Sequence, residues 1–169
     1  SNNTFYGNGF YDYGRGAQGP AFILSSGSNN VAYNNIIYNN CYGIQAAYYN
    51  GGTNNQIYNN TIYNNGTISK GTCVTPQPGI QMQESATIVK NNILYNNGGT
   101  IDDSSSGATY SNNLCGSASP HCDLVGNPLF TNPSSGDFHL TSASTDAIDK
   151  GADLSLIFNT DKDGNTRVL

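Results

Sequence analysis

The polar and apolar positions of this chain repeat around paired asparagines. The block Asn34–Asn40 consists of two asparagines, a three-residue run that ends in tyrosine, and two more asparagines, and it returns at Asn59–Asn65 and at Asn91–Asn97. Shorter copies begin at Asn2 and Asn112, so the starts at residues 2, 34, 59, 91 and 112 give steps of 32, 25, 32 and 21 residues. A minimum step near 21 residues that insertions lengthen is typical of the coils of a solenoid.

Each coil is predicted to contain three short strands. The first strand opens with glycine or proline and lies at residues 20–24, 43–46, 79–82 and 99–102 of successive coils. The second strand precedes the first asparagine pair of the block, and the third strand precedes the second pair. A helix is not expected, because asparagine and β-branched residues are poor helix formers. Asparagine tolerates the left-handed region that tight bends require, and its amide can hydrogen-bond to the next coil about 4.8 Å away.

Alignment of the repeats predicts which side chains share a column. Two columns are expected to face inward and to form the core: Ala32, Ile57 and Val89, and Phe5, Ile37, Ile62, Leu94 and Cys115. Two columns are expected to face outward: Tyr6, Tyr38, Tyr63 and Tyr95, and Tyr33, Tyr58, Lys90 and Ser111. Gln45, Gln81 and Asp102 are expected to line up on the first strand of successive coils.

The composition indicates an ordered domain without affinity for nucleic acid. Of 169 residues only 10% are charged, against about 25% in an average globular protein, and the net charge is −5. Phosphate binding needs a basic surface, which this balance argues against. The 12 tyrosines and 6 phenylalanines argue against disorder. No apolar run approaches about 18 residues, so membrane insertion is not expected.

Four cysteines, Cys41, Cys73, Cys115 and Cys122, indicate an oxidising compartment, and the protein is expected to be secreted or to lie at the cell surface. Cys115 and Cys122 flank a short loop and can bridge, and Cys41 and Cys73 follow adjacent coils and can bridge them. None has the spacing of a zinc site. Four reduced core cysteines are the alternative.

The repeats resemble the right-handed parallel β-helix family of the pectate-lyase-like superfamily over about residues 1–116. The resemblance implies an all-β solenoid of about five coils, with residues 117–169 as a C-terminal extension that packs on the helix. Segments 127–133, 136–140, 146–151 and 161–167 resemble the C-terminal part of large secreted bacterial β-helix proteins, many of them anchored at the surface. A further strand normally follows there, so the extension is expected to be truncated at Leu169, and the bare ends suggest a longer protein or neighbouring subunits.

Candidate catalytic residues follow from the resemblance to polysaccharide lyases, which use a lysine or arginine base beside acidic residues. They are Glu84, Lys90, Asp102 and Asp103, expected within about 10 Å of one another. Two features argue against a lyase or hydrolase: a lysine between carboxylates has a raised pKa that does not suit a base, and residues 16–115 contain no arginine. The Asn-Thr-Asp, Gly-His-Gly and Arg-Ile-Lys motifs of polygalacturonases are also missing. The alternative interpretation is a solvated surface patch.

Candidate glycan-binding residues are Tyr38, Tyr63 and Tyr95 together with Gln45 and Gln81. Aromatic faces stack on sugar rings, and Tyr42, Tyr48 and Tyr49 lie nearby in the sequence. The alternative is that the tyrosines stack on one another and shield the sheet.

Calcium is the one cofactor that the sequence suggests. Asp161, Asp163 and Asn165 have the alternating oxygen spacing of a calcium loop, with Gly164 to turn the backbone. No bidentate glutamate follows, and an Asp/Gly turn is the alternative.

The sequence therefore favours an extracellular, non-catalytic β-helix module that is structural or binds glycan. Its expected partners are a polysaccharide or identical subunits, which would stack end to end into a surface layer or fibre. The alternative is a polysaccharide lyase or glycoside hydrolase that acts on an acidic polysaccharide.

Overall fold

A computed structural model describes residues 1–9, 19–24, 27–46, 52–68, 73, 75–105 and 107–167. In these residues the coils contain fourteen short strands: β1 (Thr4–Tyr6), β2 (Pro20–Leu24), β3 (Val31–Tyr33), β4 (Ile36–Tyr38), β5 (Tyr42–Ala46), β6 (Gln56–Tyr58), β7 (Thr61–Tyr63), β8 (Pro78–Met82), β9 (Ile88–Lys90), β10 (Ile93–Tyr95), β11 (Gly99–Asp103), β12 (Thr109–Ser111), β13 (Leu114–Cys115) and β14 (Leu124–Val125). The predicted three strands per coil are confirmed.

The strands stack into three parallel sheets. Sheet A has the order β1-β4-β7-β10-β13-β14, sheet B the order β11-β8-β5-β2 and sheet C the order β12-β9-β6-β3. A coil therefore passes from sheet B through sheet C to sheet A, and every pair within these sheets is parallel. The chain is a parallel β-helix.

The predicted inward columns form the core. Ile37, Ile57 and Ile62 are fully buried, and the other members of both columns are buried with them, except Phe5 at the N-terminal end. Phe5 is half-buried and packs against Phe22, with ring centroids 5.4 Å apart. Alternation along each strand turns one side chain inward and its two neighbours outward, so every three-residue strand contributes one core side chain.

The second asparagine of each pair forms a ladder of side-chain hydrogen bonds from coil to coil. In one ladder the Nδ2 atoms of Asn35, Asn60 and Asn92 donate to the Oδ1 atoms of Asn60, Asn92 and Asn113, at 2.9 to 3.0 Å. Each Oδ1 also accepts the backbone N–H of the ladder asparagine in the preceding coil. The Nδ2 groups of Asn60 and Asn92 donate in addition to a backbone carbonyl of the preceding coil. Buried polar groups are thereby satisfied without any charge.

The first asparagine of each pair adopts the left-handed conformation that the bend requires. Asn34, Asn59, Asn91 and Asn112 have φ between 50° and 59°, and the equivalent asparagines at the other corners have φ between 53° and 63°. This confirms the conformational role that the sequence predicts for asparagine.

A C-terminal tail follows the coils. Strands β15 (Phe130–Asn132) and β16 (Asp137–Leu140) form an antiparallel pair, joined by a short 3-10 helix at Pro133–Ser135. The remainder of the tail consists of turns and extended segments. Among the described residues no helix is long and apolar enough to cross a membrane.

Both predicted disulfides are present. Cys41 and Cys73 are joined across 32 residues with their Cα atoms 5.5 Å apart, and Cys115 and Cys122 across 7 residues with a Cα separation of 5.9 Å. The two bonds indicate a non-cytoplasmic protein, because the cytosol keeps thiols reduced.

Candidate functional site

The tail docks on the column of left-handed asparagines at the corner between sheets C and A. The Asn91 side chain binds the Ala152 backbone in both directions: its Nδ2 donates to the Ala152 carbonyl at 2.8 Å, and its Oδ1 accepts the Ala152 N–H at 2.9 Å. Asn112 donates to the carbonyl of Lys150 at 3.1 Å. Asn34 donates to the carbonyl of Thr160 at 2.8 Å. We call Asn34, Asn59, Asn91 and Asn112 the docking column.

Aromatic contacts hold the tail against the outer face of sheet A. Phe138 lies 5.0 Å from Tyr38 and 5.3 Å from Tyr63 between ring centroids, and Phe130 contacts both Phe138 and Tyr63. Further along the tail, Phe158 stacks on the sheet C residue Tyr33 at 4.5 Å. These rings form a second apolar cluster outside the coils.

The tail therefore changes the interpretation of the tyrosine column. Tyr38 and Tyr63 point away from the core as predicted, but the tail phenylalanines cover them, so they do not form an open platform for sugar rings. Tyr95 stacks on Tyr63 at 6.4 Å and Tyr6 on Tyr38 at 5.4 Å. Within the part of the chain that the structure describes, self-stacking and tail contact are what these tyrosines do. Tyr48 and Tyr49 lie outside the described residues.

A cleft of about 780 Å³ lies between the tail and sheet A. The floor of the cleft is formed by the first residue of each strand from β4 to β14 in sheet A, and these residues are in register with one another. They are Ile36, Thr61, Ile93, Leu114 and Leu124. Tail side chains such as Leu140 and Ile148 face this floor, and the docking column lines one side. The cleft is thus largely apolar, with side-chain amides at one edge and charged groups of the tail around it.

Several charged groups that line the cleft are engaged in holding the tail. Arg167 donates to the Oδ1 of Asn34 at 3.0 Å and to the carbonyl of Thr160 at 3.2 Å. Burial lowers the pKa of the Arg167 guanidinium, and the nearby Asp161 partly offsets this, so the group stays a cation at neutral pH. Asp149 and Lys150 are exposed, and no ion pair joins them to another described residue.

His139 forms a clasp between two parts of the tail. Its Nδ1 lies 2.5 Å from the Oδ1 of Asp137, and its Nε2 lies 3.0 Å from the Oδ2 of Asp163. The hydrogen bonds with Asp137 and then with Asp163 raise the pKa of His139, because both favour the imidazolium. The hydrogen bond from His139 lowers the pKa of Asp137.

The clasp predicts a pH dependence of tail docking. Because the pKa of His139 is raised in the folded state, the stabilisation from the clasp is fully present below the ordinary histidine pKa of about 6.5. This stabilisation is lost as the pH rises through the higher pKa of the folded state. The depressed pKa of Asp137 sets the acid limit, since its contribution is lost as the pH falls through that value.

In an NMR titration we expect the His139 imidazole to titrate above 6.5, and His139→Gln to remove this pH dependence of tail protection. Titration of His139 at or below 6.5 would contradict the clasp, and His121→Gln is the matched control.

Glu84 was predicted as a catalytic residue or as part of a solvated surface patch, and the structure instead places it in the interior of the coils. Its side chain is 1% exposed, and its Oε2 accepts from the Nδ2 of Asn55 at 2.5 Å and from the Thr87 hydroxyl at 3.4 Å. Asn55 in turn accepts from Asn30. Glu84 therefore ends a separate ladder that runs from Asn30 through Asn55, in a coil where Ala86 takes the left-handed position.

The other candidate catalytic residues lie on different faces of the helix. Lys90 follows Tyr58 in the outer column of sheet C, whereas Asp102 follows Gln81 on the outer face of sheet B. Asp103 turns away from Asp102 and accepts the N–H of Ser105 at 2.8 Å. Glu84 is interior, Lys90 and Asp102 lie on different sheets, and no ion pair joins the candidate catalytic groups within the described residues.

Asp103 belongs to a different polar group at the C-terminal end of the coils. Burial raises the pKa of Asp103, but the Ser105 hydrogen bonds and the neighbouring Tyr110 and His121 lower it by more, so it lies below its usual range. Burial and the Asp103 charge raise the pKa of Tyr110. The Tyr110 and His121 rings are 4.2 Å apart. At neutral pH the Asp103 carboxylate is therefore ionised and the neighbouring Tyr110 hydroxyl is neutral.

Gln45, Gln81 and Asp102 line up in sheet B as predicted. The Nε2 of Gln45 donates to the Oε1 of Gln81 at 2.7 Å, and Gln45 is only 8% exposed. Gln45 is therefore not an accessible binding residue, while Asp102 is exposed.

The proposed calcium loop has the geometry of an Asp/Gly turn. Asp161 uses its Oδ1 to accept the N–H groups of Asp163 and Asn165, at 2.9 and 2.8 Å, and its Oδ2 to accept the Asn165 amide at 3.1 Å. Asp163 is engaged with His139. Groups of three or more ionisable metal ligands are absent from the described part of the chain.

The chain belongs to the right-handed β-helix family, whose sequence pattern it matches over residues 1–115 as a right-handed β-helix region. The match ends at the close of strand β13, before strand β14 and the tail. No curated protein and no solved structure matches the chain.

Proposed function

We propose that this protein is an extracellular, non-catalytic β-helix module that binds glycan in the cleft between its tail and sheet A. The observation that carries the proposal is the composition of that cleft: an apolar floor, side-chain amides along one edge and a volume of about 780 Å³. Ligand sites of this kind are concave and mostly apolar with a few polar groups that fix orientation, and their volumes run from about 300 to 1,000 Å³.

A sugar ring has the matching chemistry, since its C–H face is apolar and its hydroxyl groups donate and accept hydrogen bonds. Ile36, Thr61 and Ile93 offer the apolar face, and Asn59, whose Oδ1 has no hydrogen-bond partner among the described residues, offers a side-chain amide. The low overall charge of −5 in 169 residues suits a neutral ligand better than a highly charged one.

The absence of a catalytic role is proposed from what the ionisable groups do. Glu84 ends a ladder, Arg167 and Asp161 hold the tail, and the pair Asp137 and Asp163 is bridged by His139. Hydrolysis needs two carboxylates that flank the scissile bond, about 5 to 9.5 Å apart and free to move a proton. The carboxylates of Glu84, Asp137, Asp161 and Asp163 are engaged in structural hydrogen bonds and do not meet that requirement.

The test combines binding with turnover. The protein is mixed with soluble glucans, xylan, chitin oligomers, pectin and alginate, and binding is followed by isothermal titration calorimetry. Reducing ends and absorbance at 235 nm are recorded on the same samples. We expect binding to at least one polysaccharide without product, whereas product would favour the lyase or hydrolase alternative and absence of all binding would contradict the proposal.

End-to-end association of copies is the second part of the proposal. Among the described residues β1 is an edge strand of sheet A, and an edge strand can pair with a parallel strand of another copy. Electron microscopy of the purified protein tests this association: we expect short linear stacks, and a field of single particles only would remove this part of the proposal.

A further inference from the structure

Among the described residues no hydrogen bond joins the tail to Asn59, one member of the docking column. Lys150 of the tail binds Asn112, and Ala152 binds Asn91 in the neighbouring coil, so the tail advances by two residues for each coil that it crosses. It then turns at residues 155–157 and returns to the column only at Asn34, with Thr160. Asn59 is the position that this excursion skips.

The Asn59 side chain is left with an unsatisfied carbonyl oxygen. Its Oδ1 is buried and has no hydrogen-bond partner among the described residues, although Asn59 lines the cleft. A buried acceptor without a partner costs about 1 to 3 kcal/mol, so native structures rarely leave one without a reason. Rotation about χ2, a soft torsion, can present this oxygen to the cleft.

Asn91 shows what such an amide recognises. Two coil positions that are equivalent by register, Asn59 and Asn91, have nearly the same backbone φ of 50° and 59°. Asn91 binds a secondary amide, the peptide group of Ala152, through one donated and one accepted hydrogen bond. The same pair of bonds is available at Asn59 to a ligand that offers an N–H and a carbonyl side by side.

The cleft favours a small ligand as the source of that amide. On the floor beside Asn59 lie Ile36, Thr61 and Ile93, which can accept a methyl group, and exposed Asp149 and Lys150 lie at the rim, where they can meet hydroxyl groups. An acetamido group on a sugar ring combines the amide, the methyl group and the hydroxyls.

We propose that the cleft binds an N-acetylated sugar whose acetamido group pairs with the Asn59 amide as the Ala152 peptide group pairs with Asn91. This inference rests on the proposed glycan binding and adds the class of sugar and the residue that selects it.

Calorimetric titration with N,N′-diacetylchitobiose, with cellobiose and with N-acetylalanine N-methylamide tests the proposal. The first two disaccharides share their ring linkage and differ in the acetamido groups, and the third supplies the amide without a sugar. The protein variant is Asn59→Gly, which removes the amide and keeps the left-handed backbone. Asn96→Gly is the matched control, because Asn96 is also left-handed, with φ of 56°, but is exposed at another corner.

We expect N,N′-diacetylchitobiose to bind at least tenfold more tightly than cellobiose, and Asn59→Gly to lose at least tenfold while Asn96→Gly retains the wild-type Kd. Thermal denaturation of both variants shows whether they fold. Equal affinity for the two disaccharides, no binding of either, or an unchanged Kd in Asn59→Gly would each overturn the inference. Binding of the blocked alanine alone would assign the site to peptides and also overturn it. Binding of a polysaccharide without acetamido groups would leave the proposed function intact while the inference fails.

Discussion

Replacement of Asn60 with alanine is expected to lower the free energy of unfolding by about 3 to 5 kcal/mol. The Asn60 Oδ1 accepts the backbone N–H and the Nδ2 of Asn35, at 3.0 and 2.9 Å, and its Nδ2 donates to the carbonyl of Ala32 and to Asn92, both at 3.0 Å. Asn60 is 1% exposed, so water cannot replace these bonds. The alanine leaves several buried donors and acceptors unsatisfied, each at a cost of about 1 to 3 kcal/mol with partial relaxation.

Urea denaturation followed by circular dichroism measures the effect, with Asn3→Ala as the control. Asn3 begins the same ladder and is exposed, so its loss is expected to cost less than about 1 kcal/mol. Equal losses in the two variants would show that the ladder bonds have no special value in the interior of the stack.

Removal of the Cys41–Cys73 disulfide is expected to have the second largest effect, a loss of about 3 to 4 kcal/mol. The bond closes a loop of 32 residues, and the chain-entropy relation gives about 3.7 kcal/mol for a loop of that size. The Cys115–Cys122 bond closes only 7 residues, for which the same relation gives about 2.3 kcal/mol. The double variants Cys41→Ala with Cys73→Ala and Cys115→Ala with Cys122→Ala therefore form a matched pair.

Differential scanning calorimetry under identical conditions compares the pair. We expect the first double variant to have the lower Tm. A lower Tm for the second double variant would mean that the Cys115–Cys122 bond stabilises the end of the coils by more than the loop-closure entropy. That result would contradict the ranking by loop length.

The sequence predicted the coils well, because their determinants are local and periodic. Asn34, Asn59 and Asn91 recur at the bends since few residues tolerate a positive φ, and Ile37, Ile62 and Leu94 recur between them since each strand has one inward position. A repeat that fixes both the bend and the core position also fixes the register, which is why the columns could be aligned without coordinates.

The path of the tail could not be predicted in the same way. Phe130, Phe138 and Phe158 occur once each, without a period, and nothing local indicates that they cover Tyr38, Tyr63 and Tyr33. A signal was nevertheless present: the outward column Ile36, Thr61, Ile93 and Leu114 is too apolar for a solvated face, and a covering segment is the usual reason for such a surface.

The candidate site was missed for a related reason. Charged residues drew attention to Glu84, Lys90 and Asp102, but the coil geometry separates them: one is interior and the others are on different sheets. The cleft instead combines the first asparagines of the pairs with tail residues 38 to 126 positions away, as in the contacts of Asn112 with Lys150 and of Asn34 with Thr160. The sequence identified these asparagines only as bend residues.

The side chains of the docking column hold the tail and so complete the cleft. Amide hydrogen exchange at Ala152 tests this docking most directly, because that N–H is bound to the Oδ1 of Asn91 at 2.9 Å. We predict that the Ala152 amide is protected in the wild type and exchanges freely in Asn91→Gly, while the Ile93 amide, bound to the carbonyl of Asn60, stays protected in both. Exchange of Ala152 at the rate of an unprotected peptide in the wild type would contradict the account.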